Sequence, residues 1–432
     1  MMKLALGLFA PLTMLLAADV APWRQVNFAD GDTGWSRWAA REEIAPRAFV
    51  DRTMGRGEPG ALAISGNSNA AAYGGWRKRL EGVEPGQWYR LIAHYRATAV
   101  PNEQLQILAR LDWRNAESKR TGQPDYAYRV EPAGGEWKRV TLDAPAPPGA
   151  TSLNLELYLQ NAPLGTVWWD DLSFEAINTP GPRKVTVAAV NLRPRSTGSA
   201  AASVAKFIEL VQAKVAVGTD VILLPEGVTV VGTGKQYSEI AETIPGPTTT
   251  KLGELARAKK AYVVAGIYER EGIALYNTAV LIDRSGEVLG KYRKVYLPRE
   301  EIEAGLTPGS DYPTFATDFG RVGVMICWDL QYADPARALA RRGAELLLVP
   351  IWGGNETLGK ARAIENRVFI ATSGYDYPTY VMDPDGEILA IAREDGSAAV
   401  AAVDLNKRYA DKWLGDMRGR FMKELRTDVK VE

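Results

Sequence analysis

The sequence predicts two folds in series, an all-β sandwich over residues 22–178 and an α/β domain over residues 184–432. Three observations lead there. The chain has 432 residues, more than one core normally organises, so two domains are expected. Its first half shows period-2 alternation of apolar and polar residues and almost no helical periodicity. Its second half, after the Pro/Gly linker at 179–183, alternates short apolar runs with segments of helical spacing.

The extreme N-terminus precedes both. Lys3 supplies one positive charge, residues 4–16 are apolar apart from Thr13, and the small pair Ala17-Ala18 follows. That is the pattern of a signal peptide over residues 1–18, so the protein is expected to be exported, periplasmic or secreted. The apolar run falls short of the roughly 20 residues a bilayer span needs, so no stable membrane span is expected after cleavage.

In the first domain, Leu153, Leu155, Leu157 and Leu159 alternate with Asn154, Glu156, Tyr158 and Gln160, as in a half-buried antiparallel strand. Residues 88–95 are rich in aromatic and branched side chains and read as another strand. Residues 167–174 close the half. Turn pairs such as Pro85-Gly86, Gly134-Gly135 and Pro148-Gly149 separate the runs. The stretches VEPGQWYRLIAHYRA and PPGATSLNLELYLQNAPLGTVWWDDLSFE resemble the jelly-roll modules of the galactose-binding and carbohydrate-binding kind. The resemblance implies either a glycan ligand or a packing role beside a catalytic neighbour. Trp23, Trp35, Trp38, Trp76 and Trp113 are the side chains that would stack on a sugar ring. The competing reading makes most of them core residues.

In the second domain, residues 185–190 form the first strand. Val204, Phe207, Ile208, Val211 and Val215 then recur at helical spacing, and Gly218 ends that helix. Residues 221–224 are a continuous apolar run, as in a strand covered on both faces. A helix around Leu252, Leu255 and Ala256 leads into a strand at 262–267. Residues 322–326 form a strand, 335–342 a helix and 345–349 a strand. A helix around Ala361, Ile364 and Glu365 runs into a strand at 369–372, and Asp383-Pro384-Asp385-Gly386 is a hairpin turn.

Composition narrows the function. Lys+Arg and Asp+Glu are both 52, so there is no net positive field to gather phosphate backbones and nucleic acid is not expected as a partner. The single Cys rules out an intrachain disulfide and any Cys-cluster metal site. The single His, His94, lies in the sandwich, which removes Cys-His and Ser-His-Asp arrangements from the α/β domain.

Three strand ends deliver reactive residues there: Glu226 after the 221–224 run, Lys294 after 290–293, and Cys327 after 322–326. Singly, each has a plain alternative: a solvated loop start, a charged surface, a buried structural thiol. Together they close a chemistry. Without His, a carboxylate can take the thiol proton while a lysine holds charge against the tetrahedral oxyanion, helped by the backbone N–H of Trp328. The lysine is also expected to favour thiolate.

The same residues lie in four blocks, LLPEG, GKYRKVYLP, GVMICWDLQYADPARALARRGAELLLVPIW and RAIENRVFIATS, whose order resembles the carbon–nitrogen hydrolase (nitrilase) superfamily. The resemblance covers essentially all of the second half. It implies a four-layer α-β-β-α sandwich, Glu226 as general base, Lys294 as catalytic lysine and Cys327 as nucleophile. It implies a second glutamate near the substrate, for which Glu300, Glu301 and Glu303 are available and Glu301 is favoured. No cofactor and no metal are expected, because the mechanism needs none. Asp329 either braces the cysteine turn or caps it. Asp329 resembles the amidase and carbamoyl-hydrolase branches, since true nitrilases tend to carry Glu there. The expected reaction is hydrolysis of a small amide or N-carbamoyl substrate through a thioester. Nitrile hydrolysis and a glycan-binding protein with an inactive hydrolase-like domain are the alternatives. Members commonly pair as homodimers, and the loops at 227–246 and 352–358 are expected to set specificity.

Overall fold

A computed structural model describes residues 22–427 except 377, together with residue 429. The signal peptide expected at 1–18 lies outside the described residues. Among them, no helix is long and apolar enough to cross a membrane. The described residues divide into two compact units, one comprising those up to Pro180 together with those from Ala410 onward, the other Gly181–Tyr409. The sequence reading carried the second domain to residue 432, and the structure corrects this.

The first unit is built on two antiparallel sheets. One orders its strands Arg47–Asp51, Ala61–Ser65, Thr166–Ile177, Trp88–Thr98, Lys138–Pro145 and Arg129–Pro132, with Trp23–Gln25 also paired to Thr166–Ile177. The other runs Ser36–Ala39, Tyr73–Glu81, Ser152–Gln160, Ile107–Arg114, Asp125–Tyr126. Leu153, Leu155, Leu157 and Leu159 meet Leu91, Val167 and Trp169 in one core. Trp35, Trp76 and Trp113 belong to that core, so they offer no free face to a sugar. Trp38 is half-buried with Tyr158 stacked on it at 5.0 Å.

Strand Ser152–Gln160 is not half-exposed as its alternation suggests. Glu156 is fully buried between Arg77 (2.7 Å) and Arg110 (2.5 Å), and Tyr158 is fully buried beside Trp38 and Tyr73. Paired charges and stacked rings let a polar face be covered, which periodicity cannot register.

The C-terminal segment belongs to this unit through one short helix, Met417–Glu424, capped by Asp416. Its Lys423 is buried and donates to the Ile107 carbonyl at 3.0 Å. Burial pulls the Lys423 ammonium down to about 8, opposed by Glu103. A lysine depressed in the folded state adds stability that is present above its unfolded value and lost as pH falls through 8. From pH 7 to 10 the wild type should therefore gain about 1–3 kcal/mol relative to Lys423→Met. Urea denaturation at both pH values checks this, and parallel pH dependence in the two proteins would refute it.

The second unit has two six-stranded sheets. The first orders Val288–Arg293, Ala274–Ile282, Tyr262–Glu271, Val221–Leu223, Lys184–Asn191, Ser397–Asp404; the second orders Thr314–Ala316, Arg321–Val324, Leu346–Pro350, Phe369–Ser373, Thr379–Met382, Ile388–Ala392. The central pairs are parallel and the outer pairs antiparallel. Val187, Val221, Leu223 and Val264 of the first sheet face Val322, Val324, Leu346 and Ala371 of the second. The opposite side of the first sheet, with Val190, Ile222 and Val263, is covered by Phe207, Val211, Leu252 and Leu255 of helices Ala200–Lys214 and Pro247–Lys259. Helices Ala333–Arg341 and Glu356–Asn366 pack on the second sheet, where Gly323 brings the strand close beneath Leu339. The layers run helix, sheet, sheet, helix. Strands buried on both faces explain the continuous apolar runs in the sequence.

Candidate active site

Glu226 follows a central strand of the first sheet, Cys327 follows the strand next to one edge of the second, and Lys294 follows the edge strand Val288–Arg293. Each position has a local cause. Pro225 and Gly227 (φ +65°) turn the chain after Leu224. Gly266 of the adjacent strand lies so close that a Cβ there would stand 2.6 Å from the Glu226 Cα. Lys294 is pinned at both ends of its peptide, its N–H donating to the Asn277 carbonyl (2.9 Å) and its carbonyl accepting from Gly309 N–H (2.8 Å).

Cys327 opens a 3₁₀ turn, Cys327–Gln331, with φ of +41°, a left-handed conformation that strains a non-glycine residue. Asp329 holds that turn. Its buried carboxylate accepts from Ile326 N–H (2.9 Å), Tyr296 N–H (2.9 Å) and Tyr292 O–H (2.7 Å). Tyr292 and Tyr296 flank Lys294 by two residues on either side, so one carboxylate registers the cysteine turn against the lysine segment. Burial raises Asp329 to about 6, against the pull of its three donors. Asp329 is both cap and brace: it caps the cysteine turn through Ile326 N–H and braces it against the lysine segment through Tyr292 and Tyr296.

The Lys294 ammonium is buried and donates to Oε1 of Glu226 (2.9 Å) and Oε1 of Glu301 (3.0 Å). Burial disfavours its charge, but Glu226, the Cys327 thiol and Glu301 outweigh this and hold it above the ordinary lysine value. Glu301 is the inward-facing member of its short helix, while Glu300 and Glu303 are exposed. Burial lifts the Glu301 carboxyl above its ordinary value; Lys294 pulls it down and the Glu226 charge adds to the rise.

Cys327 is half-buried, its thiol donating to the Gly353 carbonyl at 3.4 Å. Burial pushes the thiol up to about 12, the Glu226 charge adds to this, and Lys294 pulls back. Lys294 thus pulls toward thiolate as the sequence reading expects, but desolvation and the Glu226 charge, which that reading did not weigh, outweigh it. The resting sulfur is a protonated thiol that needs a base. Trp328 follows it with an exposed ring.

Sequence reading missed two residues. Asn277, fully buried in strand Ala274–Ile282, donates from Nδ2 to Oε1 of Glu226 (2.7 Å) and Oε1 of Glu301 (2.8 Å). A polar residue inside the apolar run ALYNTAVLI is the signal that marks it. Tyr375 donates its hydroxyl to the Glu226 carbonyl at 2.5 Å, and its ring meets Trp352 edge-on. His94, the only His, lies in the sandwich with Nδ1 against the Asp171 carbonyl at 2.8 Å.

The carbon-nitrogen hydrolase family model matches residues 186–412. Human omega-amidase NIT2 is 33% identical over 219 residues, which cover 44% of this chain and 78% of that protein. A nitrilase of Pyrococcus abyssi is 35% identical over 222 residues, 45% of this chain and 82% of that protein. The crystal structure of Saccharomyces cerevisiae Nit3, a member of branch 10 of the nitrilase superfamily, aligns with TM-score 0.46 at 24% identity, over 51% of this chain and 90% of that one. With a family match across more than half its length, and the shared region folded as a four-layer sandwich, this chain belongs to the carbon-nitrogen hydrolase family.

Proposed function

We propose that the protein hydrolyses the C–N bond of a small amide or N-carbamoyl compound through a thioester on Cys327. The observation that carries the reading is the arrangement around Lys294, a buried ammonium bonded to one oxygen each of Glu226 and Glu301 and close enough to the thiol to act on its charge. Amidase names among the relatives point to the same bond type.

The steps follow from the groups present. Among the described residues, Glu226 Oε2 has no hydrogen-bond partner and is the oxygen that takes the thiol proton. The sulfur attacks the carbonyl carbon, and the C=O pair moves onto oxygen. Lys294 stabilises that oxyanion together with the Trp328 backbone N–H. Collapse expels ammonia or an amine, which receives the proton from Glu226. The freed carboxylate then draws a proton from water, hydroxide adds to the thioester, and the acid leaves as the thiol is reprotonated. Glu301, on the far side of the lysine, faces the substrate.

Acid-quenched mass spectrometry during turnover tests this with a panel of aliphatic amides, N-carbamoyl amino acids and nitriles. Amide or carbamoyl substrates should leave an acyl mass on the Cys327 peptide and release ammonia or an amine, and Cys327→Ala should show neither. Turnover that persists in Cys327→Ala would sink the mechanism. Turnover confined to nitriles would sink the substrate class.

A further inference from the structure

We propose that Asn277 is a positioning residue that clamps Glu226 and Glu301 together and aims their free oxygens into the reaction cleft. The inference rests on the reading of Glu226 as general base. A single nitrogen, Asn277 Nδ2, reaches Oε1 of Glu226 at 2.7 Å and Oε1 of Glu301 at 2.8 Å. Lys294 Nζ reaches the same two oxygens at 2.9 and 3.0 Å. Two donors and two acceptors therefore close a ring, and all four residues are buried.

The ring uses up Oε1 of both carboxylates. Among the described residues, Oε2 of Glu226, Oε2 of Glu301 and Oδ1 of Asn277 have no partner. Those two Oε2 atoms are the oxygens left for chemistry, one for the thiol proton and one for the substrate. The amide orientation is fixed by the same geometry, because a flipped Asn277 would set its oxygen against two carboxylate oxygens. A buried asparagine serving only the strand would be expected to satisfy its own oxygen. Here both side-chain bonds go to the carboxylates and the oxygen goes without. The backbone of Asn277 adds a second hold, since its carbonyl accepts the Lys294 N–H at 2.9 Å. One strand position thus sets the lysine through its main chain and the two glutamates through its side chain.

Lysine alone would leave the pair less defined. An ammonium on a flexible stem supplies charge but little direction, whereas a planar amide on a buried strand supplies direction. The ionisable groups whose charges act with Glu226 are Lys294, Glu301, Cys327, Tyr237, Tyr268 and Tyr375. Asn277 contributes no charge of its own, so its removal changes hydrogen bonding without changing the formal charge of the cluster.

The test is the pH dependence of Cys327 alkylation by iodoacetamide, in which the sulfur displaces iodide and its proton passes to Glu226. This needs no turnover. Loss of a donor to the charged carboxylates should move the acid limb of the rate upward by about one pH unit in Asn277→Ala. Asn277→Ser, which keeps one short donor, should shift it less. The acid limb of amide kcat/KM should move in parallel. Coincident alkylation profiles for wild type and Asn277→Ala, of whatever shape, overturn the proposal, as does a variant whose thermal midpoint falls while its limb stays in place. Should Asn277→Ala fail to fold, the comparison passes to Asn277→Ser under the same criterion. A wild type that turns over no amide would refute the proposed function, and the alkylation profiles would still decide the role of Asn277.

Discussion

Replacing Lys294 by Met should reduce turnover by at least about 1,000-fold and cost the fold about 3–5 kcal/mol. Both effects come from one position. The ammonium is the cation held between Glu226 and Glu301, at 2.9 and 3.0 Å, and its loss leaves two buried carboxylates bridged only by the neutral amide of Asn277. Breaking a buried ion pair on one side is far costlier than deleting the whole pair, because the remaining charge has neither water nor partner. The oxyanion would lose its only nearby full positive charge among the residues of this cluster.

The destabilisation should depend on pH with a definite sign. Without the lysine, the facing carboxylates take up protons more readily in the folded state than in the unfolded one. A carboxyl raised in this way contributes stability that is present at low pH and lost as pH rises through its folded value. Lys294→Met should therefore be closer to wild type at pH 5 than at pH 8. Adding Glu301→Gln should recover part of the loss at pH 8 by removing one of the two charges, without restoring activity. Urea denaturation at the two pH values, with kcat on a substrate amide, measures all of this. Equal destabilisation at both pH values would show that the carboxylate pair is not the cause.

The second large effect is expected at Asp329, which touches neither thiol nor lysine. Asp329→Ala strands the Ile326 N–H, the Tyr296 N–H and the Tyr292 hydroxyl, each bonded to this carboxylate within 2.9 Å. A buried donor left without an acceptor costs about 1–3 kcal/mol, so a loss of about 3 kcal/mol or more is expected. Activity should fall by about 100-fold or more, because the strained Cys327 turn and the Lys294 segment lose their common anchor and a displacement of about 1 Å is enough for that. Asp329→Asn should lie between. Its one carbonyl oxygen can serve some of the donors, but its NH₂ then meets an N–H or the hydroxyl. Kinetics and denaturation of both variants check the order, and full activity in Asp329→Ala would remove the bracing role.

The legible and illegible parts of this molecule divide along physical lines. Glu226 and Cys327 were visible because each follows a short apolar run, and Lys294 because it ends the cationic stretch 290–294 ahead of an apolar segment; a strand end is a local property of one segment. Glu301 was visible only as one of three candidates, since a five-residue helix gives too little periodicity to say which face turns inward. Asn277 was invisible as a functional residue, although a polar side chain within an apolar strand could have flagged it. The pull of the lysine on the thiol was legible, but the burial and the glutamate charge that outweigh it were not, because both depend on segments distant in sequence.

By itself, then, the sequence determined the two-part architecture, the alternation of strands and helices in the second part, and the three strand-end residues. All of these are written in short-range periodicity and in segment order. Only the tertiary structure decided that Asn277 meets Glu226 across 51 positions and Lys294 meets it across 68. It alone decided that Asp329 ties the cysteine turn to the lysine segment, that the C-terminal helix belongs with the sandwich, and that the alternating polar face of Ser152–Gln160 is buried. These depend on which distant segments share a desolvated space. Hydrogen bonding and charge are strong only once that space has closed.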